Sequence, residues 1–123
     1  MVDSTAGRVD RAAKASKSDA GVLVVGLGRF GSAMAMTLDR LGQDVLAVER
    51  SPQLVAHFSD RLPIVEADAT SPEALEQLGA RDFSVAVVGV GTSLEASVLI
   101  TGNLVDLGTA QIWAKAISAE HGR

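Results

Sequence analysis

Cysteine and tyrosine are absent from this 123-residue sequence, and aromatic residues make up only 3 per cent of it. Without cysteine, the chain contains no disulfide, no thiolate metal ligand and no cysteine nucleophile. Without tyrosine, it lacks the Tyr-Lys proton relay of short-chain dehydrogenases. The longest apolar runs, around residues 22–27 and 85–90, fall well short of the roughly 18 residues of a membrane span. We therefore predict no direct membrane insertion, and the polar start of the chain predicts no secretory signal.

The sequence also has few histidines and no excess of positive charge. Of the two histidines, His57 is predicted to lie on the surface of the second helix, and His121 lies near the chain end. No set of residues has the spacing of metal ligands, and no nucleophile stands beside an evident base. A net charge of −4 gives no support for nucleic-acid binding. The sequence thus predicts no catalytic residue, no metal site and no nucleic-acid partner.

The apolar content is nevertheless high enough for a folded core. Apolar residues make up 47 per cent of the chain and the mean hydropathy is +0.25, which argues against disorder of the whole chain. Residues 1–20 are rich in small and charged residues and contain no aromatic residue, so they predict a flexible tail. Residues 21–123 predict one folded domain.

Five short apolar runs alternate with segments that carry helix signals. Such runs are typical of strands in a parallel sheet that is covered on both faces, and they occupy residues 22–25, 45–48, 64–67, 85–90 and 112–114. The order βαβαβαβαβ predicts an α/β fold, a Rossmann-like doubly wound parallel sheet. Because a full dinucleotide-binding fold continues with a further helix and strand, we expect a fragment that is truncated after its fifth strand.

The first helix carries a predicted core-facing stripe. Its members share helical spacing, and they are Phe30, Ala33, Met34, Thr37, Leu38 and Leu41. Gly42 is expected to end this helix in a left-handed cap.

The later helices have recognisable ends. Ser51 and Ser71 each precede a proline, which predicts an N-cap followed by the first helical position. Ser93 is expected to cap a longer helix that ends near Gly108. Gly102 inside that helix is unfavourable by about 1 kcal/mol against alanine, so we expect it to pack closely against a neighbouring backbone.

Residues 24–34, VVGLGRFGSAM, place three glycines in the spacing G-x-G-x-x-G after the first strand. Gly26 permits the tight turn, Gly28 lets the backbone approach a pyrophosphate, and Gly31 lets the helix pack on the strand. The N–H groups that open the helix then face the phosphates. Between a strand and a helix, this motif predicts a nucleotide site.

Glu49 ends the second strand, 21 positions after Gly28, and is predicted to bind both ribose hydroxyls. A carboxylate there repels a 2′-phosphate, so the expected ligands are NAD(H), ATP, ADP or AMP. Arg50 follows and in principle favours NADP, but Glu49 holds the ribose position. The alternative is a surface glutamate with no ligand role.

Further candidates follow the third and fourth strands. Asp68, Ala69 and Thr70 are expected to border the adenine, although Asp68 would also satisfy N–H groups of its own loop. Gly89 and Gly91 reach the same crevice, at the topological switch point of the sheet. An ordinary strand-to-helix turn is the alternative for these two glycines.

Arg29 stands in the first turn of the helix, where a cation is disfavoured by about 0.3–1 kcal/mol. A terminal phosphate bound by the guanidinium offsets this cost. A side chain turned into solvent explains the residue equally well, and charge alone leaves both interpretations open.

Several segments together resemble a known family: VVGLGRFGSAMAMTLDRLGQDVLAVE, ADATSPEALEQLGARDFSVAVVGVG, LEASVL and IWAKA. They are similar to the N-terminal lobe of RCK (KTN) domains, and within that group to regulatory subunits of bacterial potassium uptake systems of the KtrA/TrkA type. The likeness runs from about Gly21 to Ala116. That family often has aspartate at the position of Glu49.

The resemblance implies a cytoplasmic regulatory subunit without catalytic turnover, peripheral to the inner membrane, which gates a potassium-translocating membrane partner. It implies homodimers that assemble into an octameric ring, ATP and ADP that compete for the glycine-loop site, and NAD(H) as a ligand of some members. Arg29 would sense the γ-phosphate. The complete set of expected nucleotide-binding residues is Gly26, Gly28, Arg29, Phe30, Gly31, Glu49, Arg50, Asp68, Ala69, Thr70, Gly89, Gly91 and Lys115. For Lys115, a solvated side chain at the end of a strand is an equally good explanation.

Two other classes share the glycine loop and the acidic strand end. The cofactor-binding domain of an NAD-dependent dehydrogenase has both features but gives Arg29 no role. A methyltransferase has a similar loop. Preference for NADH or for S-adenosylmethionine over ATP distinguishes these alternatives.

Overall fold

The computed structural model of the chain describes residues 21–90 and 94–114. The predicted tail at residues 1–20, together with Gly91, Ser93 and Lys115, lies outside the described residues. Ten elements of secondary structure alternate along the described part. Among them is no helix that is long and apolar enough to cross a membrane.

Five strands form one parallel sheet, and four α-helices connect them. The strands are β1 (Val22–Val25), β2 (Val45–Glu49), β3 (Ile64–Glu66), β4 (Val85–Val88) and β5 (Gln111–Ala114). The helices are α1 (Arg29–Arg40), α2 (Pro52–Phe58), α3 (Pro72–Gln77) and α4 (Leu94–Leu107), with a 3-10 turn at Ala80–Asp82 between α3 and β4. The strand order β3-β2-β1-β4-β5 confirms the predicted Rossmann-like sheet.

The core lies on both faces of this sheet. Successive side chains of a strand point to opposite faces, so Leu23 and Val25 of β1 join one apolar cluster, and Val22 and Val24 join the other. The first cluster also contains buried residues of α3 and α4, and the second those of α1 and α2. The sheet is therefore doubly wound, as predicted.

The prediction that all five strands are buried is wrong for the two edge strands. Every residue of β1 is buried, but Glu66 at the end of β3 is exposed. In β5 only Ile112 is half-buried, and Trp113 is 61 per cent exposed. Apolar content alone does not distinguish a central strand, which has neighbours on both sides, from an edge strand.

The predicted stripe of α1 is also partly wrong. Ala33, Thr37 and Leu41 are exposed, whereas Gly31 and Ala35 are the buried residues of this helix. Apolar residues occur around much of α1, so their spacing fits more than one face. The close approach of Gly31 to the loop before it selects the face that packs.

The predicted helix ends are confirmed where the structure describes them. Ser51 accepts a hydrogen bond from the N–H of Leu54 at 3.3 Å, and Ser71 accepts one from the N–H of Ala74 at 3.3 Å. Gly42 has the left-handed conformation that a helix C-cap requires, with a φ angle of 88°.

Gly102 contradicts its prediction. A Cβ atom added there meets nothing within 4 Å, so no backbone within residues 21–90 and 94–114 requires glycine at this position of α4. Five further large apolar side chains are exposed like Leu41 among the described residues: Leu94, Val98, Leu99, Val105 and Trp113.

Candidate nucleotide-binding site

The candidate site is at the carboxyl edge of the central strands. In the parallel pairing, Val25 of β1 lies beside Val48 of β2 and Val88 of β4, so these three strands end side by side. The chain moves outward from β1 to β3 and then returns to β4 on the other side of β1. Ligands of such sheets bind where the strand order reverses.

Gly26 makes the tight turn that follows β1. Its φ angle is 93°, a left-handed value that favours glycine. Its N–H donates to the carbonyl oxygen of Val48 at 2.8 Å, and an added Cβ would lie 2.9 Å from Val90 Cγ2. Both the backbone conformation and the packing therefore require glycine here.

Gly31 and Gly89 bring two backbones into contact. An added Cβ on Gly31 would overlap the carbonyl oxygen of Gly26, and one on Gly89 would lie 3.0 Å from Gly31 Cα. The N–H of Gly89 also donates to the carbonyl oxygen of Val25 at 2.7 Å. These two glycines join α1 to the ends of β1 and β4, which supports the predicted packing role of Gly31.

Gly28 differs from the other two glycines of the motif, Gly26 and Gly31. Its φ angle is −70°, which any residue adopts, and an added Cβ meets nothing within 4 Å. Among the described residues, no contact and no backbone strain requires glycine at this position. The missing side chain leaves open space directly at the start of α1.

The start of α1 carries positive charge and no acidic side chain. Gly28 is its N-cap residue, with no side-chain cap, and the first turn contains no carboxylate. Arg29 is exposed there. Phe30 is half-buried and packs against the core cluster of α1 and α2, so its ring mainly stabilises the core.

Glu49 is buried, with 9 per cent of its surface exposed, which rules out the alternative of a surface glutamate. Its Oε1 accepts a hydrogen bond from the N–H of Leu27 at 2.6 Å, and its Oε2 accepts one from the N–H of Ser51 at 2.7 Å. The carboxylate thus ties the glycine loop to the end of β2. Sequence reasoning missed this link, because no sequence pattern marks a contact between a side chain and a distant backbone N–H.

Asp68 and Thr70 form a compact turn after β3. Oδ1 of Asp68 accepts from the hydroxyl of Thr70 at 2.7 Å and from its N–H at 3.0 Å. These two hydrogen bonds, with a smaller contribution from the charge of Arg50, hold the pKa of Asp68 below its usual value. Asp68 and Arg50 are both exposed and carry opposite charges on neighbouring strand ends.

Ala69, between these two polar residues, packs in the core. It is 4 per cent exposed and belongs to the core cluster of α3 and α4, so its methyl group faces away from solvent. The carbonyl oxygens of Ala69 and Thr70 accept hydrogen bonds from Asn103 Nδ2 at 3.2 and 3.0 Å. Sequence reasoning did not single out Asn103, and its only signal is a poor helix-forming residue inside a helix.

Three residues that the sequence analysis considered, His57, Gly91 and Lys115, are not part of the described site. His57 is exposed on α2, as predicted. Gly91 and Lys115, both expected at the site, lie outside the described residues. Within residues 21–90 and 94–114, no group of three or more His, Asp or Glu side chains is arranged to hold a metal ion.

A sheet of this order, with a glycine loop after β1 and a carboxylate at the end of β2, is the arrangement of the Rossmann-like fold. The model of the TrkA-N domain family matches residues 22–123, so the chain belongs to that family.

Two relatives come from Bacillus subtilis. The Ktr system potassium uptake protein A is 39 per cent identical over 99 residues, which cover 80 per cent of this chain and 45 per cent of that protein. The Ktr system potassium uptake protein C is 33 per cent identical over the same shares. The chain spans less than half the length of these relatives.

Solved structures share the fold. The NAD(P)-binding domain of an exopolyphosphatase-related protein from Archaeoglobus fulgidus superposes with a TM-score of 0.72 at 22 per cent identity, over 80 per cent of this chain and 74 per cent of that one. The AMP-bound Kef CTD of Shewanella denitrificans has a TM-score of 0.67 at 24 per cent identity, over 82 and 62 per cent.

Proposed function

We propose that this domain binds an adenine nucleotide in the crevice beside the glycine loop. The observation that carries the proposal is the contrast among the glycines of one motif. Atoms of the described residues require glycine at positions 26 and 31, whereas none of them requires it at Gly28, and the open space there admits an external group close to the backbone. An anion suits that position because the helix start supplies N–H donors and partial positive charge.

Glu49 would receive the ribose. Each of its carboxylate oxygens already accepts one backbone hydrogen bond, and an ionised carboxylate has about four acceptor sites in all. Two acceptor positions therefore stay open for two ribose hydroxyls. The backbone bonds fix the orientation of the carboxylate before the ligand arrives.

Arg29 would distinguish ATP from ADP. It is exposed at the helix start, where a γ-phosphate offers it an anionic partner and ADP does not. A nucleotide shifts a protein between two states only through a difference in its affinity for them. A contact made by ATP alone is one source of that difference.

We further propose that the domain is the nucleotide-sensing part of a regulatory subunit of a potassium uptake system. The names of the Bacillus subtilis relatives support this role. In this role the subunit is cytoplasmic, is held at the inner membrane by its potassium-translocating partner, and assembles from homodimers into an octameric ring. Nucleotide exchange, rather than catalysis, then gates transport.

Calorimetric titration with ATP, ADP, AMP and NADH tests the nucleotide proposal. We expect adenine nucleotides to bind. Gly28→Ala should weaken their binding by tenfold or more, because the added methyl group keeps the phosphate away from the N–H donors, and losing one charge-assisted hydrogen bond costs about 1.5–3 kcal/mol. Gly102→Ala is the matched control, since Gly102 also has open space around it but lies away from the phosphates. Arg29→Ala should weaken ATP binding more than ADP binding.

Three results would contradict parts of this proposal. If Gly28→Ala binds adenine nucleotides with unchanged affinity, the phosphate does not lie at Gly28. Equal losses for ATP and ADP in Arg29→Ala remove the role of Arg29. A clear preference for NADH points to a redox-sensing domain or a dehydrogenase and removes the role of Arg29, and hydride transfer by a longer form of the protein identifies the dehydrogenase.

A further inference from the structure

Asn103 is the one asparagine of the chain, and it lies within α4. Its Nδ2 donates to the carbonyl oxygen of Ala69 at 3.2 Å and to that of Thr70 at 3.0 Å. The residue is half-buried, and the two acceptors precede it by 34 and 33 positions. One side chain of α4 therefore binds two consecutive carbonyl groups of the loop after β3.

This arrangement uses the amide group of Asn103 fully as a donor. A carboxamide NH₂ has two hydrogens, and each meets one carbonyl of the same loop. Asparagine is a poor helix former compared with leucine or alanine, so the helix itself gives no reason for its presence. The two bonds to the loop do give such a reason.

The loop that Asn103 holds is the one that presents Asp68 and Thr70. Ala69 is anchored in the core, and the Asp68–Thr70 hydrogen bonds close the turn internally. Neither of these interactions ties the carbonyls of Ala69 and Thr70 to another element. Asn103 supplies that tie, which fixes the turn relative to α4 and to the crevice.

We infer that Asn103 is a positioning residue for the adenine end of the site. It does not touch the nucleotide itself. By holding two carbonyls, it keeps Asp68 and Thr70 in the arrangement that receives the base, so that the ligand does not have to order this loop on binding. The inference rests on the proposed nucleotide function.

The test combines ATP titration with hydrogen exchange of single amides. Asn103→Ala removes both bonds without burying a charge, and Asn103→Asp keeps the shape but sets a carboxylate against two carbonyl oxygens. Asp106→Ala is the matched control, since Asp106 lies on the same helix and is exposed. We expect Asn103→Ala to weaken ATP binding about tenfold, Asn103→Asp to weaken it further, and Asp106→Ala to change it less than twofold.

Hydrogen exchange separates a local role from general destabilisation. The amides of Thr70 and Ser71 bond within the turn to Asp68, and those of Gly26 and Gly89 bond across the sheet. Faster exchange of the first pair alone in Asn103→Ala supports the inference. Faster exchange of both pairs by the same factor overturns it, because the residue then only stabilises the whole fold.

Titration also distinguishes this inference from the proposal on which it rests. If the unsubstituted chain binds ATP and Asn103→Ala binds it equally well, the inference is wrong and the nucleotide function stands. If the unsubstituted chain binds no adenine nucleotide, the proposed function fails, and the inference fails with it.

Discussion

The loop after β1 and the loop after β3 both follow the carboxyl ends of parallel strands but are held in different ways. The first is held by backbone packing, through Gly26, Gly31 and Gly89, and by the buried carboxylate of Glu49. The second is held by exposed side-chain hydrogen bonds within the turn and by Asn103. Close backbone packing tolerates almost no substitution, whereas a side-chain hydrogen bond contributes only about 1 kcal/mol. We therefore expect substitution of a packed glycine in the first loop to lower stability more than loss of a side-chain hydrogen bond in the second.

The largest expected loss of stability comes from a substitution in the loop after β1. Gly31→Ala places a methyl group on the carbonyl oxygen of Gly26, and the resulting overpacking should lower the free energy of unfolding by about 3 kcal/mol. Urea denaturation followed by circular dichroism measures the change. Gly102→Ala is the control and should raise the free energy of unfolding by up to about 1 kcal/mol. Equal stability of Gly31→Ala and the unsubstituted chain would show that the loop is not held by packing.

The next effect is on the carboxylate that ties this loop to β2. Glu49→Gln keeps the shape but turns an amide NH₂ toward one of the two backbone donors, Leu27 or Ser51. Loss of one charge-assisted bond should cost about 2 kcal/mol. Glu66→Gln is the matched control, because Glu66 lies beside Glu49 in the β2–β3 pairing but is exposed. If the two variants lose the same stability, Glu49 has no special role in the loop.

The smallest effect is on the second loop. The hydroxyl of Thr70 is the largest cause of the lowered pKa of Asp68, so Thr70→Val should raise that pKa toward its usual value, and Thr70→Ser should preserve most of the shift. Carbon-13 NMR titration of the Asp68 carboxyl measures both. A lowered pKa stabilises the fold above the usual aspartate pKa, and this contribution disappears as the pH falls through the folded value. An unchanged pKa in Thr70→Val would assign the shift to the N–H of Thr70 and to Arg50 instead.

Particular residues show how far sequence reasoning reaches here. The alternation of strands and helices along the chain, the N-caps at Ser51 and Ser71 and the glycine loop follow from local patterns, because each depends on residues close together in the chain. The buried face of α1, the exposure of β5 and the open surroundings of Gly102 do not follow, since each depends on what another element places nearby. The two backbone partners of Glu49 and the loop contact of Asn103 are of the same kind.

The three glycines of one motif mark this division most clearly. By itself, the sequence determined that a turn rich in glycine joins β1 to α1 and that a carboxylate ends β2, because spacing along a strand and a helix is a local property. Only the tertiary structure decided which glycine each neighbour requires. Among the described residues, an added Cβ on Gly26 would meet Val90 and one on Gly31 would meet the carbonyl oxygen of Gly26, whereas one on Gly28 would meet nothing within 4 Å. These contacts depend on how the chain packs and not on the spacing of the glycines.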